Sequence, residues 1–178
     1  MAEQTFVLHI SGYWRDQNRT GLTRAPGLFF VYESRFDEGN QTVDLLRLIY
    51  AGEADNVRDR IMDHEKYPAW QGYLAPGNEL CYAFAPVEFY YRERVRAAFI
   101  INHKPPANAG FEGFFPFDKT TLVCTGRTAL IDPVITVRKN TGVYPETAQL
   151  RQQNKMIPVK AVNILEHIIP SQRFAFGM

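Results

Sequence analysis

The sequence predicts an α/β domain built on a small central mixed sheet that is flanked by helices. Three observations favour this fold class. At 178 residues the chain has the usual length of one domain. Its 13% aromatic content, with 13 Phe and 9 Tyr, is typical of proteins that contain a sheet. Strand-like and helix-like runs also alternate along more than half of the chain, which is the pattern of an α/β fold.

Three strand patterns come first along the chain. Residues 5–13 alternate apolar side chains with others, which predicts a strand with one buried face. Residues 15–24 are polar and predict a loop. Residues 28–32 are continuously apolar, as in a strand that is buried on both faces. Residues 45–50 form the third strand pattern.

A helix follows the third strand. Asp55 or Asn56 can cap its amino terminus, and Val57 and Ile61 lie four residues apart on one apolar face. Pro68 cannot continue a helix, so we expect this one to end there.

The next strand is predicted at residues 80–84. Residues 88–103 show the clearest helical pattern in the chain, and Pro105-Pro106 ends it. Residues 121–137 hold two strand-like runs, whereas residues 158–170 fit neither the strand period nor the helix period.

Composition and charge exclude several classes of protein. Hydrophobic residues make up 46% of the chain and charged residues 22%, which excludes a disordered, coiled-coil or collagen-like protein. The net charge of +1 gives no overall attraction to nucleic acid or membrane. Cys81 and Cys124 are too few for a disulfide framework and lack the CxxC spacing of a zinc site. With no signal peptide and no apolar run near about 18 residues, we expect a cytoplasmic protein without membrane contact.

Four short motifs carry the functional information. Gly27-Leu28-Phe29 lies on the second strand and Tyr50-Ala51-Gly52 lies at the end of the third. Residues 52–61 pass from that strand into the first helix, and residues 103–108 end in Pro105-Pro106-Ala107-Asn108. In this order and spacing they resemble the GIY-YIG nuclease superfamily over residues 26–108. The two triplets stand where that family has GIY and YIG.

The resemblance implies a domain of GIY-YIG type over residues 26–108. Residues 1–25 then form an additional strand and loop, and residues 109–178 form a carboxy-terminal extension that packs on the same domain. The family hydrolyses DNA phosphodiesters with a divalent metal held by a glutamate, with tyrosines from two strands and with a helix arginine.

Three residues match the family's catalytic positions, namely Tyr50, Arg60 and His64. Arg60 and His64 are four residues apart and share one helix face. Each also has a structural interpretation. Arg60 can form a surface ion pair with Asp59 or Asp63, His64 suits a helix carboxyl end, and Tyr50 suits a strand.

Two positions depart from the family. Phe29 stands at the first tyrosine and has no hydroxyl, while Arg96, twelve residues before the closing Asn108, stands at the metal-binding glutamate. Tyr32 would need a bulge to replace the missing tyrosine. Glu93, one turn before Arg96, is the candidate metal ligand if Mg²⁺ is bound at all. We therefore expect DNA hydrolysis to be weak or absent.

Charge along the chain indicates where nucleic acid would bind. Residues 51–66 are acidic overall and residues 92–108 are basic. Nucleic-acid contact is therefore predicted at Arg92, Arg94, Arg96, Lys104 and Asn108. A solvated helix face for the arginines and a turn role for Asn108 are the alternatives.

Three hypotheses for function remain. The first is a divergent metal-dependent nuclease, and the second is a fold relative that binds nucleic acid without cleaving it. The third is a protein-interaction module or homo-oligomer that uses the aromatic segment 111–117.

Overall fold

The computed structural model describes residues 3–109 and 113–140. They form an α/β protein with a six-stranded mixed sheet, strongly curled into a half-barrel, in the order β3-β2-β4-β1-β5-β6. The elements in chain order are β1 (Gln4–Arg15), β2 (Gly27–Asp37), β3 (Thr42–Ala54), α1 (Val57–Met62), α2 (Tyr67–Gln71), β4 (Glu79–Pro86), α3 (Phe89–His103), β5 (Thr120–Gly126) and β6 (Val134–Val137). The α/β class and the mixed sheet are thus confirmed.

The amino-terminal strand β1 lies inside the sheet rather than at its edge. Its first part pairs parallel with β5, with Phe6 opposite Leu122, and its second part pairs antiparallel with β4, with Ser11 opposite Phe84. The sheet therefore includes strands from residues 1–25, 26–108 and 109–178. The rest of the predicted extension, including residues 158–170, lies outside the described residues.

The two faces of the sheet bury different sets of side chains. Alternate residues of β2 point to opposite faces, because side chains alternate along a strand. Leu28 and Phe30 pack with Phe99 of α3, whereas Phe29 packs with Ile61 of α1 and Trp70 of α2. The fully buried run 28–32 follows from this double packing and confirms the prediction for that strand.

Two predictions for the connecting segments are wrong in detail. Residues 15–24 contain a 3-10 turn at Asp16–Gly21 in place of a plain loop. The first helix ends at Met62, and Pro68 lies in the first turn of α2 instead of closing α1. Proline is tolerated in a first helical turn because its missing N–H has no helical partner there.

The helix that the sequence predicts at residues 88–103 is confirmed. It spans Phe89–His103, and Lys104 ends it in a left-handed conformation with φ of 47°. A second 3-10 turn, Pro106–Asn108, then returns the chain to β3. No helix in the described part of the chain is long and apolar enough to cross a membrane.

Candidate functional site

The two glycine-containing triplets lie side by side in the sheet. Strands β2 and β3 are antiparallel, and Phe29 is directly opposite Gly52. A Cβ at Gly52 would lie 2.3 Å from Cζ of Phe29 and 2.8 Å from Cε1 of Tyr50. A Cβ at Gly27 would lie 2.2 Å from the carbonyl oxygen of Ala85. Both triplets need glycine because neighbouring atoms occupy the space of a side chain.

Around these triplets lies an aromatic cluster that consists of Phe29, Tyr50, His64 and Trp70. The ring of His64 is 4.3 Å from that of Trp70 and 5.5 Å from that of Tyr50, centroid to centroid. Phe29 is 5.9 Å from Tyr50 and 5.8 Å from His64. Phe29 is completely buried, so the residue at the family's first tyrosine position packs as an apolar side chain.

His64 is held neutral inside this cluster. Its side chain is 1% exposed, and its Nδ1 accepts a hydrogen bond of 3.0 Å from the backbone N–H of Lys66. Burial and then the charge of Arg60 lower the pKa of His64 to about 4. A buried imidazole in this state carries no charge at neutral pH, because desolvation disfavours the protonated form.

Tyr50 and Arg60 lie beside His64, so the three predicted catalytic residues come together. Burial raises the pKa of Tyr50, against the opposing effect of Arg96 and Arg60. The Nζ of Lys66 is 5.3 Å from the centre of the Tyr50 ring. Arg60 is 42% exposed and pairs with Glu65 at 2.9 Å, in place of the expected Asp59 or Asp63.

Two arginines of α3 reach two acidic residues at the end of β3. The Nε of Arg96 is 3.7 Å from Oε1 of Glu53, and Nη2 of Arg92 donates a hydrogen bond to Oδ1 of Asp55. The Asp55 side chain is 83% exposed, whereas that of Arg92 is buried. Sequence reasoning did not identify these acids as partners. The available signal was spacing, since the arginines are four residues apart on a helix and the acids are two apart in the sequence, Glu53 within β3 and Asp55 just after it.

The donor set around α3 does not fit a divalent cation. Glu93 is half-buried and stands between Arg92 and Arg94 in the sequence, and Glu53 faces the Arg96 cation. Within residues 3–109 and 113–140 there is no group of three or more His, Cys, Asp or Glu side chains placed to hold a metal ion. Divalent cations such as Mg²⁺ require oxygen ligands, and a neighbouring guanidinium opposes them.

Tyr32 does not replace the missing tyrosine of the motif. The irregularity in the β2–β3 pairing lies on β3, while β2 pairs with β4 in an unbroken register. Tyr32 therefore stays on the α3 face, opposite to Phe29. Its buried hydroxyl has no hydrogen-bond partner in the described part of the chain.

The guanidinium of Arg94 connects α3 to the strands β1 and β5. Its Nε donates to the Thr120 hydroxyl at 2.7 Å and its Nη1 to Oε1 of Gln4 at 2.5 Å. Its Nη2 donates to the carbonyl oxygens of Asp118 and Lys119. Burial lowers the pKa of Arg94 against the attraction of Asp118. Every nitrogen of this guanidinium thus has a partner within the fold.

Asn108 and Lys104 differ in how they are placed. The Asn108 amide is buried, accepts a hydrogen bond of 2.8 Å from the Ala51 N–H and donates one of 3.0 Å to the Ala51 carbonyl. It therefore fastens the turn after α3 to the middle residue of the second triplet. Lys104, by contrast, is exposed at the end of α3.

The aromatic segment 111–117 is described in part. Phe115 is fully buried in the core under α3, and Phe117 packs against it with ring centroids 5.4 Å apart. Phe111 lies outside the described residues. The described phenylalanines at 115 and 117 thus contribute to the core of the domain itself.

Comparison with protein-family models, with curated proteins and with solved structures finds no match. Interpretation of the site therefore rests on its own residues.

Proposed function

We propose that this protein is a divergent relative of the GIY-YIG nucleases that binds nucleic acid and hydrolyses DNA weakly or not at all. The observation that carries the proposal is the ion pair between Arg96 and Glu53. It stands where the resemblance requires a carboxylate that binds a metal.

The arrangement of the strands supports the relation to this family. Gly27-Leu28-Phe29 lies on the central strand of β3-β2-β4, and Tyr50-Ala51-Gly52 lies beside it in register. Asn108, which closes the family pattern, bonds directly to Ala51. These motifs are far apart in the sequence, yet they meet at one place in the fold.

Two features support weak or absent hydrolysis. A metal ion would stabilise the charge that develops on the phosphate and would activate water, and the donor set here does not favour one. Phe29 has no hydroxyl to hold or move a proton. Tyr50 keeps its proton at neutral pH, because burial raises the pKa of this hydroxyl. No residue of the described site thus replaces the missing metal ligand and the missing tyrosine together.

Cationic side chains near Tyr50 support binding of the nucleic-acid backbone. Arg60 is 42% exposed, Nζ of Lys66 is 5.3 Å from the centre of the Tyr50 ring, and the positive charge of Arg96, whose side chain is 14% exposed, also acts on the Tyr50 hydroxyl. Lys104 adds an exposed charge at the far end of α3. Arg92, Arg94 and Asn108 are buried with partners inside the fold, so the proposal places the phosphate contacts at Arg60, Arg96 and Lys104.

The test combines nicking of supercoiled plasmid in Mg²⁺ or Mn²⁺ with a gel shift at low salt. The wild type is compared with Arg60→Ala and with Arg35→Ala. Arg35 is also an exposed arginine in an acidic pair, but it lies about 20 Å along β2 from Phe29.

We expect a gel shift without efficient cleavage, and weaker binding in Arg60→Ala than in Arg35→Ala. Robust metal-dependent nicking that Arg60→Ala abolishes would contradict the proposed loss of catalysis. Absence of both nicking and binding would contradict the nucleic-acid function and leave the protein-interaction hypothesis.

A further inference from the structure

An open cleft lies where β1 changes from one partner strand to the other. Up to Ile10 the strand pairs parallel with β5, and from Ser11 onward it pairs antiparallel with β4. Strand β5 ends at Gly126, opposite Ile10, and a cleft of about 440 Å³ opens there. We call it the β1 cleft. Its lining comes from β1 and from the carboxyl end of β5 and consists of His9, Ile10, Ser11, Gly12, Gly126 and Arg127.

The side chains of His9 and Ser11 lie on the sheet face opposite to α3. Ile10, between them, packs in the core under α3, and side chains alternate along a strand. Ser11 is directly opposite Phe84, which packs with Phe29 on the side of α1 and α2. Two strand spacings, about 10 Å, separate Ser11 from Phe29. The β1 cleft is therefore on the same face as the aromatic cluster but is a separate place.

Gly126 shapes the cleft by turning the chain away from β1. It adopts a left-handed conformation with φ of 82°, and a Cβ there would lie 2.4 Å from the carbonyl oxygen of Ile10. The same Cβ would lie 3.1 Å from Cε1 of His9. The backbone N–H of Arg127 donates to the Ile10 carbonyl at 2.8 Å. Glycine is therefore required at position 126, and the close approach holds Arg127 beside β1.

The cleft combines two basic side chains with a hydroxyl, and no acidic residue is among those that line it. Arg127 and His9 are exposed, and Ser11 is half-buried. Within residues 3–109 and 113–140 neither basic side chain forms an ion pair with a carboxylate. Arg60 and Arg96 of the candidate site, in contrast, are each paired with a glutamate. The guanidinium of Arg127 thus keeps its donors for a ligand.

A short chain of hydrogen bonds orients the imidazole of His9. The Thr125 hydroxyl donates to the Leu8 carbonyl at 3.4 Å and, with its proton used there, accepts from Nδ1–H of His9 at 3.3 Å. In the protonated imidazole Nε2–H then remains for a bound anion. A nearby negative charge favours this protonated form.

We infer that the β1 cleft binds a phosphate group. The planar guanidinium of Arg127 can donate two parallel hydrogen bonds to phosphate oxygens, and the Ser11 hydroxyl and His9 add donors from β1. The volume lies in the range of small-molecule sites, so the group can be a free ion or part of a larger molecule. None of Tyr50, Arg60 and Arg96 takes part, so the site does not depend on the proposed function.

The test is a titration of the full chain with inorganic phosphate at constant ionic strength, followed through the amide NMR signals. The variants are Arg127→Ala and His9→Ala. The matched control is Arg138→Ala, another exposed arginine, which follows β6 at the opposite end of its pairing with β5 and lies about 20 Å from Gly126. Because all three positions are exposed, thermal unfolding of each variant serves as the check that it folds.

We expect phosphate to shift the amide signals of Gly12, Gly126 and Arg127 in the wild type. Arg127→Ala should bind phosphate at least roughly tenfold more weakly and His9→Ala about threefold more weakly, whereas Arg138→Ala should equal the wild type. Absence of phosphate binding, equal affinity in Arg127→Ala and the wild type, or equal losses in Arg127→Ala and Arg138→Ala would overturn the inference and leave the proposed function untouched.

Two oligonucleotides of one sequence, with and without a 5′-phosphate, then identify the source of the phosphate. Tighter binding of the phosphorylated strand that is lost in Arg127→Ala would assign the cleft to the end of a nucleic acid. Equal binding of both strands, with inorganic phosphate bound as expected, would assign it to a small phosphorylated molecule. If inorganic phosphate binds and neither strand does, the phosphate site stands and the proposed nucleic-acid function fails.

Discussion

The aromatic cluster under α1 and α2 and the arginines of α3 (Arg92, Arg94 and Arg96, here called the arginine row) bear on different parts of the family resemblance. The cluster holds Tyr50 and His64, which match the motif, but it also surrounds them with ring contacts to Trp70. The arginine row contains Arg96, which stands where the motif has a glutamate and forms an ion pair with Glu53. Motif residues in the cluster therefore have packing roles that do not require catalysis. Of the two departures from the motif, Phe29 packs inside this same cluster, whereas Arg96 has a charge partner in Glu53.

The arginine row itself contains two kinds of residue. Arg94 is buried, and all of its nitrogens are bonded within the fold. Arg96, two residues later, points to the other side of α3, and its Nε is 3.7 Å from Oε1 of Glu53. Arg94 thus has a role in stability, whereas the proposed function gives Arg96 a role in binding.

The largest expected effect concerns packing in the cluster. Trp70→Ala removes a fully buried indole that contacts His64 and Tyr50, and we expect a loss of about 3–5 kcal/mol in the free energy of unfolding. Trp14→Ala is the control, since that indole is only half-buried. Urea unfolding measures both. A smaller loss for Trp70→Ala than for Trp14→Ala would show that the cluster does not stabilise the fold.

The next prediction separates the two arginines. Arg94→Met leaves the buried Thr120 hydroxyl and the carbonyl groups of the half-buried Asp118 and Lys119 without their charged donor, so we expect a loss of about 3 kcal/mol in stability. Arg96→Met removes the ion pair to Glu53 and should cost about 1 kcal/mol or less. DNA affinity should change in the opposite sense, with the larger decrease in Arg96→Met. Urea unfolding and gel shifts of the two variants test this. Equal losses of stability and of DNA affinity in the two variants would contradict the proposed difference between the arginines.

The pH dependence of stability tests the state of His64. Its pKa is about 4 in the fold, below the ordinary 6.5, so the unfolded chain takes up a proton first as the pH falls. Stability should be complete above pH 6.5 and should decrease towards pH 4, by roughly 2–3 kcal/mol at the end of that range. The decrease between pH 6.5 and 5 lies above the usual range of carboxylates and belongs mainly to histidine.

Unfolding measured in urea at several pH values gives this slope, and His64→Gln is the variant for comparison. The slope should be smaller in His64→Gln, because glutamine does not titrate but still offers an acceptor to the Lys66 N–H. His103 contributes to the pH dependence that remains in His64→Gln, because burial also lowers the pKa of His103. An NMR titration that places the pKa of His64 near 6.5 would contradict a buried neutral imidazole.

The sequence predicts those elements whose signal is local. The apolar run 28–32 and the helical period of residues 88–103 identify β2 and α3, and both are found. The position of β1 between β4 and β5 was not predictable, because Phe6 pairs with Leu122 across more than a hundred residues. No periodicity within a short window contains such a pairing.

In the candidate site, too, the sequence predicts some features and leaves out those that depend on tertiary contacts. The motif brings Tyr50, Arg60 and His64 to one place, as the resemblance implied, although their chemical roles stay a prediction. Sequence could not show that Asn108 bonds to Ala51 or that Arg94 closes on Thr120. Those roles depend on side-chain direction and on hydrogen-bond geometry, which follow from tertiary packing rather than from spacing.

The smallest effect that we predict concerns the charge at position 96. Arg96→Glu places a second carboxylate beside Glu53, so two acidic oxygen donors face each other where an ion pair stood. Calorimetry should then detect Mn²⁺ binding that is about tenfold stronger than in the wild type, which corresponds to about 1.4 kcal/mol. Arg96→Gln removes the positive charge without adding a ligand and should raise the affinity less. Equal Mn²⁺ binding in both variants would show that the loss of the arginine charge, and not a pair of carboxylates, controls metal binding at this position.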